Sequence, residues 1–181
     1  MKKLLLLLIL LFILVSPMKA FAKDTPDASS SAMTEKIKYE LPYPGLLPDN
    51  PLYYLKAIRD NILKFLISDP LKKTQFDLLQ ADKRLGAAQL LLIKGKDELS
   101  VTTLSKSGNY FDDAIANIQK AKKEGDDVNA TLDQLLKASQ KHQEVIGLME
   151  KGQKGDMLLN LKFLGQRAKD FQERVLIIKS Q

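Results

Sequence analysis

Cysteine is absent from this 181-residue chain, histidine occurs once, and proline does not occur after Pro70. Without cysteine there is no disulfide framework and no thiolate nucleophile, so the folded part must hold itself together with a core. A single histidine with no adjacent nucleophile or orienting carboxylate makes no triad. The nine glycines are scattered and are not gathered into a loop that could cradle phosphate. A strong charge imbalance is also missing. The 28 Lys and Arg face 22 Asp and Glu, a net charge of +6. Lys2, Lys3 and Lys19 lie in the first 22 residues, so the rest carries 25 basic against 22 acidic side chains, or +3. Nucleic acid calls for a clustered basic face, and so modest a balance predicts none.

What is present begins with Met1-Lys2-Lys3, an unbroken apolar run Leu4–Val15, and Ala20-Phe21-Ala22. This pattern predicts a secretory signal peptide over 1–22, cut before Lys23. The alternative is a retained anchor. A twelve-residue run spans only about 18 Å as a helix, against roughly 30 Å of hydrocarbon, and no cysteine follows it for lipid attachment. Residues 23–40, with Thr25-Pro26-Asp27-Ala28-Ser29-Ser30-Ser31, hold too few apolar groups to offset the entropy of ordering and are expected to form a disordered polar tether. Residues 41–181 remain as one helical-bundle domain, and the expected location is periplasmic, cell-surface or secreted.

The domain opens with LPYPGLLPDNPLYYLK, Leu41–Lys56, which holds four of the seven prolines. Pro42, Pro44 and Pro48 favour extended chain with a turn at Pro44-Gly45. Asp49 or Asn50 can cap a helix that has Pro51 at its first position. Leu52, Leu55, Ile58 (or Arg59) and Ile62 then fall at helical spacing, and Leu46-Leu47 is expected to tuck against the bundle. A proline-rich ligand for a partner's aromatic groove is the rival reading; the interleaved apolar residues favour burial instead.

This opening, followed by SDPLKKTQFDLLQADKRLGAAQLLLIKGK and later KASQKHQEVI, resembles a family of uncharacterised bacterial exported helical domains. That family is marked by a PGLLPDSPLYFLK-like opening and an Asp-Pro-x-Lys-Lys start to its second helix. The resemblance covers Leu41 to the region of His142. Asn50-Pro51 stands where Ser-Pro is more usual, and Gly86 where a better helix former is expected. The resemblance implies the fold and an exported location, and it implies no activity.

From Leu71 onward apolar positions step by threes and fours. Four seams result: Leu71, Thr74, Leu78, Ala81, Leu85, Ala88 and Leu92; Val101, Leu104, Gly108, Phe111, Ile115 and Ile118; Val128, Leu132, Leu135, Ser139, His142, Ile146 and Met149; Met157, Leu161, Leu164, Ala168, Phe171, Val175 and Ile178. Asp69-Pro70 starts the first of these helices, Gly95, Gly125 and Gly152 end helices, and Asp97-Glu98, Asp126-Asp127 and Asp156 begin the next. Lys106-Ser107-Gly108-Asn109 is the weakest join, a kink or a split. The expected fold is all-α, a short leading helix packed on an antiparallel up-and-down four-helix bundle.

Candidate chemistry is sparse. His142 lies on an inward seam, but Ser139 three residues before it and Ile146 four after break both helical metal-ligand patterns. A hydrogen-bonded structural histidine is the expectation; if buried, it could respond to pH. Asp126-Asp127 is too short a run for a calcium loop and suits a helix start, while Asp112-Asp113 suits solvated helix surface. Asp82, beside Lys83-Arg84, reads as a surface ion pair. No catalytic, cofactor or metal residue is assigned, and no enzyme is expected. Tyr53, Tyr54, Lys56, Arg59, Lys64 and Phe65 make the first helix basic and aromatic. Those residues could cover the bundle, or contact a membrane surface or a partner. The Lys72-Lys73 and Lys120, Lys122 and Lys123 clusters read as solvated helix ends. The functional expectation is a non-enzymatic binding or scaffolding module with an unknown protein or envelope partner. The alternatives are a peripheral membrane- or cell-wall-surface protein, and a ligand- or metal-binding bundle around His142.

Overall fold

Proline and glycine sit at most of the breaks between helices, and the chain folds accordingly. The computed structural model describes residues 37–181, and among them five helices and no strand: α1 Tyr53–Leu66, α2 Pro70–Ile93, α3 Asp97–Glu124, α4 Asn129–Glu150 and α5 Gly155–Ser180. The expected signal peptide over 1–22, and the expected tether as far as residue 36, lie outside the described residues. None of the described helices is long and apolar enough to cross a membrane.

Asp69 accepts a hydrogen bond from the Lys72 N–H at 2.8 Å, and Pro70 opens α2 without wasting a donor. At the other end of α3, Gly125 takes φ 91°, a left-handed closure that a side chain would resist. Asp97 and Glu98 in the first turn of α3, and Asp156 in that of α5, answer the positive ends of those helices. Lys122, read as a solvated end, bonds the Ile178 carbonyl near the C-terminus of α5 at 2.5 Å.

The four seams form the core. Leu78, Ala81, Leu85 and Ala88 of α2 meet Leu104, Phe111, Ile115 and Ile118 of α3. Leu132, Leu135 and Ile146 of α4 meet Leu161, Leu164, Phe171 and Val175 of α5. Phe111 and Phe171 stack with centroids 4.7 Å apart and rings 4° from parallel. Helices α2 with α3 and α4 with α5 pack most extensively, with further contact between α3 and α5 and between α2 and α4. The result is an all-helical packed bundle.

Three local expectations are corrected. First, α3 runs unbroken through Lys106–Asn109. Ser107 donates to the Ala81 carbonyl across to α2 at 2.7 Å, and bare Gly108 leaves room for Arg167, whose Nη1 would lie 2.8 Å from an added Cβ. Second, of the Leu46-Leu47 pair only Leu47 is half-buried and Leu46 is exposed; the buried member of the opening segment is Pro44, whose ring lies over Gly86. Third, α1 is turned over. Leu52, Leu55, Ile58 and Ile62 face water, and Asp60 is the buried residue of the helix. The seated chain also starts before Leu41, because Tyr39 packs against the core.

Candidate functional site

The deepest ionisable cluster joins three segments. His142 on α4 lies on the core-facing seam, 2 % exposed, with Nε2 2.8 Å from Asp82 Oδ1 of α2. The Tyr39 hydroxyl donates to the other oxygen, Oδ2, at 2.5 Å. As a carboxylate, Asp82 accepts from both, which places the imidazole proton on Nε2. Asp82 is therefore no surface ion pair: it is buried, and its neighbours Lys83 and Arg84 are not its partners. Burial, and then the Asp82 charge, push the Tyr39 phenol far above its ordinary range. The His142 ring sets its edge against Phe111, centroids 5.1 Å apart.

This cluster has little room for chemistry. The cavity beside His142, lined by Ser107, Gly108, Ile146 and Arg167 among others, holds about 10 Å³, space for about one water. Ser139, one turn before His142, donates to the Leu136 carbonyl. Among the described residues, no three His, Cys, Asp or Glu side chains are grouped as a metal site.

A second polar cluster fastens α1. Lys64 Nζ lies 2.8 Å from Asp77 Oδ1, 2.7 Å from Asp113 Oδ2 and 4.7 Å from the Tyr110 ring centre. Asn117 donates to Asp77 Oδ2 at 2.9 Å. The Lys64–Asp77 contact is a close charge pair without an aligned hydrogen bond. Burial raises the Asp77 carboxyl above its ordinary value despite Lys64; burial also opposes the Lys64 charge, but its bond to Asp113 and its close pairing with Asp77 leave that ammonium higher than usual. Near the start of α1, Lys56 donates to the Pro44 carbonyl at 2.8 Å, and Asp60 is bonded by Arg59 at 2.8 Å. Helix α1 thus meets the body mainly through charged and polar side chains.

Asp113 is exposed as expected, while Asp112 is half-buried. Asp113 belongs to the Lys64 cluster, and Asp112 holds Arg167 and Arg174 of α5. Asp127 accepts from the Asn129 N–H at 3.2 Å, a helix-start role. The bonds of Asp82 to His142, Asp77 to Asn117 and Asp112 to Arg174 span 60, 40 and 62 residues, and no local pattern in the sequence announces them.

Two features face solvent. One is an open groove of about 650 Å³ between Ile37–Leu41 and α4, lined also by Gln89, Lys141, Glu144, Val145 and Leu148. The other is the outer arc of α1, where Leu52, Tyr54, Leu55, Ile58, Ile62, Leu63, Phe65 and Leu66 are all exposed, Phe65 at 86 %. Scattered exposed apolar residues are ordinary, but here they gather along one side of a single helix. Of the residues expected to cover the bundle, Lys56 and Lys64 bond to it and Tyr53 is half-buried, whereas Tyr54, Arg59 and Phe65 face water.

Compared with known proteins, residues 45–152 match a family model described as a domain of unknown function, DUF5667. No curated protein and no solved structure matches the chain.

Proposed function

Taking as premise that the chain belongs to the DUF5667 family of domains of unknown function, we propose that it is an exported, non-enzymatic binding module. Its body is an antiparallel up-and-down four-helix bundle that serves as a rigid base, with α1 carried on its side. The observation that carries this reading is the contrast between interior and surface. The interior is filled by interlocking apolar side chains, and its one deep polar cluster faces space for about one water. The surface, in contrast, offers a continuous apolar helix face. Binding sites for small substrates are typically clefts of about 300–1,000 Å³ with convergent polar groups. The open groove beside Ile37–Leu41 has that volume, but its charged pair, Lys141 and Glu144, is joined at 2.8 Å. Short linkers between successive helices support the up-and-down order.

Export rests on the basic start, the apolar run and Ala20-Phe21-Ala22. Expressing the full chain in a bacterium, fractionating the cells and sequencing the protein's N-terminus tests it. The expected product starts at Lys23 and lies outside the cytoplasmic membrane. An unprocessed protein confined to the cytosol overturns the reading.

A further inference from the structure

The junction between α3 and α4 carries a pattern beyond helix punctuation. The chain has six asparagines, and only Asn129 is followed two residues later by Ser or Thr with a residue other than proline between, as Asn129-Ala130-Thr131. Asn-x-Ser/Thr is the acceptor pattern for N-linked glycan on the surface of exported proteins. An acid, Asp127, stands two residues before the asparagine.

The fold sets this pattern at the surface. Of the residues Gly125–Ala130 only Val128 is buried, and it pins the junction to the core. Asn129 is exposed and is the first residue of α4, so a bulky polar substituent on it meets solvent and no packed face.

Asn129 is also held by its neighbour. Its Nδ2 donates to Asp127 Oδ1 at 3.0 Å, and its backbone N–H donates to the same oxygen at 3.2 Å. A carboxamide nitrogen is a poor nucleophile, because its lone pair is shared with the carbonyl. A carboxylate on its N–H makes that nitrogen more electron-rich and fixes where it points. The contact spans two residues and needs no tertiary partner, so it is open to the chain before folding. Timing matters, because Thr131 is 6 % exposed. The folded protein covers the hydroxyl of the pattern, so a modifying enzyme must read it on the translocating chain, before α4 forms.

We propose that Asn129 is an acceptor of N-linked glycan, with Asp127 as its positioning residue. The co-reactant is an oligosaccharide carried on a polyprenyl diphosphate. Asn129 Nδ2 bonds to the anomeric carbon, the bond from that carbon to the diphosphate oxygen breaks and the oxygen keeps the electron pair, and one Nδ2 proton is released. The nitrogen keeps its second hydrogen. The proposal rests on the exported reading, because the donor is met outside the cytoplasmic membrane.

The full chain is expressed in a bacterium furnished with an oligosaccharyltransferase and a polyprenyl-diphosphate oligosaccharide, and its tryptic fragments are weighed. A second version carries a proven bacterial leader in place of residues 1–22. The fragment Glu124–Lys137 should gain the mass of the glycan. Asn129→Gln, at an exposed position, and Thr131→Val should abolish the gain, while Thr131→Ser should keep it. Asp127→Ala should cut the modified fraction about tenfold, the weight of one hydrogen bond to a charged group. No gain in either version overturns the proposal, and so does a gain that survives Asn129→Gln or Thr131→Val. An unchanged fraction in Asp127→Ala overturns the role given to Asp127. Glycan on the second version alone counts against the native leader and supports the acceptor, so failure of export and failure of the site are told apart.

Discussion

Helices α1 and α5 carry the same kind of apolar spacing and dispose of it in opposite ways. In α5, Leu161, Leu164, Phe171, Val175 and Ile178 are sealed in the core. In α1, Leu52, Leu55, Ile58 and Ile62 are out in water, while Lys56, Asp60 and Lys64 face the body. Spacing defines a stripe but not the direction in which it points. Direction depends on whether a complementary stripe is free: four stripes in α2–α5 satisfy one another, and the fifth finds none. Polar side chains then decide how α1 sits, because Asp77 and Asp113 offer Lys64 a better site than solvent does.

The contrast can be broken most directly by truncation. Leu135→Ala or Phe171→Ala should each destabilise the fold by about 2–5 kcal/mol, because each opens a cavity in a filled core. Leu55→Ala should stay within about 0.5 kcal/mol of the parent, as exposed positions do. Urea melts of the three variants decide the matter; equal losses at positions 55 and 135 would mean that α1 is packed after all.

Next in size is the buried cluster. His142→Ala leaves Asp82 Oδ1 without its partner inside the body, a loss of about 1–3 kcal/mol before any cavity contribution. Chemical denaturation that shows no loss would mean that the Asp82–His142 bond is not formed.

Lys64→Ala sharpens the comparison from the side of α1, with a loss of about 1–2 kcal/mol near neutral pH. The sign with pH follows from Asp77. Its carboxyl, raised by burial, has a folded pKa above the unfolded one, so its contribution is full below the ordinary carboxylate range and is lost as pH rises through the raised value. Lys64 offsets that loss. The variant should therefore be weakest relative to the parent near pH 7 and draw level toward about pH 4. Thermal melts across that range measure it, and a gap that widens in acid contradicts the assignment.

The smallest expected change is a gain. Gly86→Ala should stabilise by about 0.5–1 kcal/mol, since an added Cβ meets the Pro44 ring at 3.9 Å, an ordinary contact, and relieves a mid-helix glycine. Destabilisation in the same melts would mean that Pro44 needs the bare backbone.

Much of the bundle was legible in the sequence. The seam through Leu132, Leu135, Ser139, His142, Ile146 and Met149 is buried along its length, and Asp69-Pro70 starts α2 where the cap and the missing donor require. These are local signals, period and punctuation, and a single sequence carries them in full. What escaped is long-range pairing. Asp82 stands beside two cations and looks like their partner, yet its partners are Tyr39, 43 residues earlier, and His142, 60 later. Ser107-Gly108 looks like a helix break because its partners, the Ala81 carbonyl and Arg167, lie on other helices. The outward arc of α1 was legible as a stripe, but whether a neighbouring stripe remained to cover it depends on the whole packing.

The grip of Asp82 on Tyr39 has an optical consequence. The chain holds five tyrosines, and phenolate absorbance in the near ultraviolet reports their ionisation. Tyr39 should stay dark in an alkaline titration until the fold itself opens, so its late appearance would act as a built-in marker of the moment when residues 37–41 leave the bundle.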